Sequence, residues 1–193
     1  MQLAEESFLE KNTGQFFTII ALLSSVLLSS AHGAEELSTQ SLLFHAIDER
    51  LGYMEDVALF KAQNHVPIED IQRERIVLSD SRELAALHGI EPQTMNGFFQ
   101  AQINAAKAIQ YRYRAYLLTA VMPQEAVDLS TGIRPALDRL GEDIVVLFAE
   151  LLQDPRALHE GSRSSFMKAL NRRFLDDADK DALFNAMMEV RRI

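Results

Sequence analysis

Two cations in this chain stand where a helix should be apolar. Arg50, Met54, Val57 and Lys61 follow one another at i, i+4, i+7 and i+11, the spacing of a single stripe on a helix. Eleven residues at about 3.6 per turn bring Lys61 back nearly over Arg50. A guanidinium and an ammonium on an apolar stripe need an anionic partner, because an unpaired buried charge is costly. Glu55 and Asp56 fall on other faces of the same helix, so a bound anion is the simplest candidate for that partner.

The elements that position these residues read as helices. The first runs from about Ser38 to Asn64 and is ended by Pro67. Pro67-Ile68-Glu69-Asp70 opens a second helix, with acidic residues in its first turn, and it continues through Val77 and Leu84 to the break at His88-Gly89. A third runs from Glu91-Pro92 to about Thr119 with the stripe Phe99, Ile103, Ala106, Gln110, Tyr113 and Leu117. Met122-Pro123 to Leu129 reads as a loop. Ser130 or Thr131 is the expected cap of a fourth helix along Ile133, Leu137, Leu140, Ile144, Phe148 and Leu151. A shorter helix over 162–174 and a last one over 177–191 complete the chain. No segment alternates cleanly between turn signals. The expectation is an all-α bundle of about six helices.

Several further polar residues belong to faces that this bundle buries. Gln110 interrupts an apolar stripe, where the ordinary outcome is a core amide bonded to a neighbouring helix. Asp70, Arg73 and Glu74 are spaced as a surface i,i+3 and i,i+4 set would be, a set worth only tenths of a kcal/mol. Arg134 opens the fourth helix, where a solvated arginine is usual. Taken with Arg50 and Lys61, the group becomes a candidate site for a small anion.

Composition narrows the chemistry. The 193 residues are 48% hydrophobic, with 8 Gly, 5 Pro, no Trp and no Cys, which suits one helical domain and rules out disulfides, thiolate metal sites and a thiol nucleophile. A formal charge of -9 without Lys/Arg runs argues against nucleic acid as a partner. His45, His65, His88 and His159 lack metal-site spacing, His45 and Glu49 alone make no metal site, and no G-x-S-x-G occurs. No cofactor or metal is expected. Residues 16–31, FFTIIALLSSVLLSSA, form an uncharged run too short to span a membrane comfortably, followed at once by small residues. Residues 1–33 therefore read as a cleaved leader, with cleavage after Ala31, Gly33 or Ala34, and with an uncleaved anchor as the rival reading. Glu5, Glu6 and Glu10 against Lys11 make an unusual n-region, which an atypical signal or a misassigned start would explain. Residues 34–193 form the remaining single domain, without stable membrane association.

The segments R50-LGYMEDVALFK61, P67-IED70-xx-R73-E74, Q102-INAAKAIQ110-Y and D128-LST-x-x-R134-PALDRL resemble the all-helical chorismate mutases, most closely the exported γ-type subclass. The resemblance covers roughly residues 42–140. It implies the rearrangement of chorismate to prephenate, a precursor of phenylalanine and tyrosine, by an intramolecular [3,3]-sigmatropic shift that needs neither nucleophile nor metal. It implies that Arg50, Arg73 and Arg134 grip the substrate carboxylates. Lys61 and Gln110 would meet the ether oxygen from opposite sides, and Glu74, with Asp70 nearby, would take the ring hydroxyl. It also implies a homodimer and a periplasmic or secreted location. One departure is Ala106, where many members carry Ser or Thr. A lyase of the same fold acting on isochorismate and a non-catalytic dicarboxylate-binding bundle are the rival readings.

Overall fold

The computed structural model describes residues 38–121 and 125–193; the leader reading and the Met122-Pro123 part of the expected loop lie outside them. These residues form helices α1 (Thr39–Gly52), α2 (Met54–Gln63), α3 (Ile71–Leu87), α4 (Pro92–Tyr116), α5 (Arg134–Leu151), α6 (Arg163–Ala169) and α7 (Asp177–Met188). The α1 and α2 segments are one rod interrupted at Tyr53, so the bundle has the expected six rods. Among the described residues there is no strand, only an isolated bridge between Ile90 and Arg192.

The interruption at Tyr53 departs from the single expected helix, and the Arg172 side chain packs against the turn that precedes it. Arg172 Nε donates to the Asp48 carbonyl at 3.0 Å, the acceptor that a regular helix offers to Gly52. The Arg172 guanidinium lies so close to Gly52 that an added Cβ would stand 2.7 Å from Nη1. Tyr53 stays near helical values, at φ -73° and ψ -9°, and its carbonyl accepts from Val57 N at 3.0 Å. The Arg50-to-Lys61 register survives the break.

Two helix starts also move, each because an aspartate outcompetes the expected cap. The second helix begins at Ile71 rather than Pro67, since Asp70 Oδ1 accepts from Arg73 N at 3.1 Å. At the fourth, Asp128 takes the place expected of Ser130 or Thr131. Its Oδ1 accepts from both backbone amides at 2.9 Å and from their hydroxyls at 2.6 and 3.0 Å. Those donors hold the Asp128 carboxyl down at about 2. A π turn over Leu129–Ile133 follows before α5 begins. The last two helices end early, at Ala169 and Met188; Leu170 turns extended, and Asn171 N and Arg172 are held by Asp48. Gly89, at φ 71°, ends α3 in the left-handed conformation that glycine adopts freely.

Helix α4 is the axis of the bundle. Its 25 residues span about 37 Å at 1.5 Å per residue, and it packs against α2, α3 and α7, while α1 packs on α5. The stripe Phe99, Ile103, Ala106, Gln110 and Tyr113 is buried as expected. Phe98 meets Phe148 of α5 edge-to-face at 4.9 Å, and both are fully buried. Phe148→Ala should cost roughly 3–5 kcal/mol, seen as a lower urea midpoint with an unchanged slope.

Candidate active site

The cavity of interest lies among α2, α3, α4 and the start of α5, with Arg50 of α1 at one side. It is open on one side and holds about 110 Å³, room for several water-sized groups. Each element contributes both apolar wall and charge. The α1–α2 rod supplies Arg50, Met54, Val57 and Lys61; the α2–α3 link and α3 supply Ile68, Asp70, Arg73, Glu74 and Val77. Helix α4 adds Ile103, Ala106, Lys107 and Gln110, and the turn into α5 adds Leu129, Ile133, Arg134 and Leu137. All seven residues singled out from the sequence therefore face one chamber.

The carboxylates near the chamber are already engaged. Arg134 Nη2 lies 3.2 Å from Asp70 Oδ2, and Lys107 Nζ lies 3.2 Å from Glu74 Oε2. Arg73 pairs with Asp138 of α5. Asp70 thus has two tasks, capping α3 with one oxygen and holding Arg134 with the other.

Arg50 and Lys61 are different. Each is only 6% exposed, and among the described residues neither has a carboxylate within ion-pair distance. Arg50 Nη1 donates to Gln102 Oε1 at 3.0 Å. Lys61 donates to the Ile68 carbonyl and to Gln110 Oε1, the latter at 3.2 Å, which leaves one of its three N–H bonds for a ligand. The Gln110 amide nitrogen donates back to the Ala106 carbonyl at 3.2 Å and faces Met54 Sδ at 3.6 Å. Burial, reinforced by Arg73, pushes Arg50 down to about 10, with Asp138 opposing. Burial also lowers Lys61, offset by Asp70 and Glu74. Both shifts have the sign of cations short of counter-charge.

Five cations (Arg50, Lys61, Arg73, Lys107 and Arg134) face Asp70, Glu74 and, behind Arg73, Asp138. Two positive charges remain uncompensated in a chamber with largely apolar walls. That balance suits a small dianion.

Likeness in sequence and in fold points to one family. The profile of the family described as chorismate mutase type II matches residues 40–111, the stretch that holds six of the seven residues, Arg134 lying beyond it. A secreted chorismate mutase of Yersinia pestis is 35% identical over 173 residues, which is 89% of this chain and 91% of that protein. The chain belongs to the chorismate mutase type II family. A monofunctional chorismate mutase of Enterobacter agglomerans is 33% identical, covering 90% of this chain and 97% of its own. In fold, the crystal structure of the Yersinia pestis secreted chorismate mutase superposes with a TM-score of 0.73 at 34% identity, over 78% of this chain and 97% of that one.

Three residues around the site escaped the sequence reading. Lys107 falls between Ala106 and Gln110 on the same face of α4, and its adjacency to that face was the available signal. Asp138 sits four residues after Arg134, which reads as an ordinary i,i+4 pair on one helix, yet its partner is Arg73 of α3. Gln102, fully buried behind Arg50, looks like any core amide until its acceptor role is seen.

Proposed function

We propose that this chain is a chorismate mutase, converting chorismate to prephenate by holding the folded dianion in the chamber. The observation that carries the reading is the pair of buried, carboxylate-free cations, Arg50 and Lys61, in a family member whose chamber retains two uncompensated positive charges. Chorismate brings two carboxylates. The ether C–O bond breaks as the new C–C bond forms within one molecule, so the reaction calls for no external proton, nucleophile or oxidant. The protein's tasks are restraint of the folded conformer and stabilisation of charge on the ether oxygen.

In this reading Arg50, Arg73 and Arg134 take the carboxylates, for which guanidinium forks suit better than ammonium. Lys61 and Gln110 take the ether oxygen from opposite sides, Lys61 with its free N–H and Gln110 by turning its amide from Ala106. Glu74, held by Lys107, takes the ring hydroxyl. Asp70 fixes Arg134 and the start of α3.

The depressed Lys61 gives the reading a pH signature. Lys61 must be protonated to donate, so kcat/KM falls as pH rises through its lowered pKa, short of the ordinary lysine value of 10.5. A bound dianion raises that pKa again, so the alkaline limb of kcat lies at higher pH than that of kcat/KM. Gln110 has no titrating proton and contributes no acid limb. A pH–rate series separates these limbs.

The leader-like segment and relatives named as secreted proteins support an exported enzyme, acting in the periplasm or outside the cell. No described helix is long and apolar enough to cross a membrane. A homodimer with each site inside one subunit is part of the proposal, and light scattering of the purified protein showing a monomer would remove that part. The test of function offers chorismate and isochorismate side by side. Prephenate from chorismate, read as phenylpyruvate after acid treatment, is expected. Pyruvate released from isochorismate without prephenate from chorismate would make the chain a lyase, and tight binding without turnover would make it a carrier.

A further inference from the structure

Arg50 is held by a neutral acceptor in a place where a buried guanidinium ordinarily meets a carboxylate. Gln102 stands on α4 two turns before Gln110, fully buried and outside the chamber wall. Its Oε1 accepts from Arg50 Nη1 at 3.0 Å, and among the described residues that is the only side-chain hydrogen bond Arg50 makes. The Phe99 ring centroid is 5.7 Å from Arg50 Cζ. Arg50 Nε and Gln102 Nε2 are both buried without a protein partner.

Three side-chain types could stand behind Arg50, with different consequences. An apolar residue would leave the guanidinium without a tether and its N–H groups unsatisfied. A carboxylate would tether it well but cancel its charge, leaving the chamber one uncompensated cation for a dianion. An amide oxygen fixes the fork by its dipole and leaves the unit charge intact. We propose that Gln102 is a positioning residue that orients the Arg50 guanidinium for a substrate carboxylate while keeping its positive charge unspent. This rests on the reading that Arg50 binds chorismate.

Two substitutions separate tether from charge. Gln102→Glu keeps the shape and supplies an acceptor, but neutralises Arg50. Because a substrate carboxylate is present in both ground and transition states, the loss falls chiefly on KM. A hydrogen bond to a charged group sets its scale at about 10- to 100-fold in kcat/KM. Gln102→Met keeps the length and removes the acceptor, so Arg50 becomes free to shift, and both kcat and KM worsen.

The deciding experiment is a double-mutant cycle on chorismate turnover with melting temperatures measured for every variant. If Gln102 acts through Arg50, both substitutions lose their effect, to within about threefold, in an Arg50→Ala background. Equal losses in both backgrounds would show a merely structural glutamine and overturn the proposal. Unchanged KM in Gln102→Glu would overturn it too, and that isosteric variant decides the matter even if Gln102→Met unfolds. Both of those results leave the mutase reading standing. Full activity of Arg50→Ala by itself would instead remove the assignment of Arg50 to the substrate, and the proposal with it.

Discussion

Lys61→Ala is expected to lower kcat by about two to three orders of magnitude or more, with little change in KM. Lys61 is buried, and its ammonium is held by the Ile68 carbonyl and by Gln110 Oε1 at 3.2 Å. Those two acceptors are neutral, so they aim the group without discharging it. The ether oxygen of chorismate gains negative charge only as its C–O bond breaks, and a charge-assisted donor there strengthens in the transition state. Removing one such preorganised donor ordinarily costs about 10²- to 10³-fold. Burial strengthens the effect here, since little solvent is present to substitute. Steady-state kinetics on chorismate with product identification makes the check. A small loss confined to KM would mean that Lys61 only binds.

Gln110→Glu should confine activity to acidic pH. The amide donates at any pH, whereas a glutamate donates only when protonated. As a carboxylate, 3.2 Å from Lys61 in the position of Oε1, it would cancel the Lys61 charge and repel the ether oxygen as that becomes negative. Activity of the variant is thus present below the new carboxyl's pKa and lost as pH rises through it. Relative to the parent, we expect about a 10²- to 10³-fold deficit at pH 8, the scale of a lost oxyanion donor, shrinking steadily toward pH 5. Full activity of the variant at pH 8 would contradict the placement of Gln110 on the reacting oxygen.

The parts of the site legible in sequence were those encoded within one helix. Arg50 and Lys61 announce themselves because eleven residues of a helix make just over three turns, and Gln110 because it interrupts a stripe that is otherwise apolar. The all-helical class follows from the same periodicity, as does the buried stripe of α4. What stayed hidden was pairing between elements. Arg73 with Asp138, Glu74 with Lys107 and Arg134 with Asp70 each join residues on different elements, and a sequence spaced by helical turns offers only the local pairings. Helix boundaries failed for a related reason. Asp70 and Asp128 take the caps because a carboxylate aimed at free amides outcompetes a nearby proline or hydroxyl, and the turn before the break at Tyr53 is met by Arg172, more than a hundred residues away in sequence.

The charges that the chamber needs differ from those that it merely contains. Three of its cations are balanced where they stand, so their removal exposes Asp138, Glu74 or Asp70 as well as deleting a contact. Arg50 and Lys61 have no such creditor, and their energy is available to the ligand alone.

Calorimetric binding of a bicyclic dicarboxylate shaped like the folded transition state, set against the same bicycle lacking one carboxylate, puts this to the most direct measurement. Two buried, uncompensated charges predict that the dicarboxylate binds about 10- to 100-fold more tightly, in keeping with two charge-assisted contacts over one. Equal affinity for the two compounds would contradict a chamber built for a dianion.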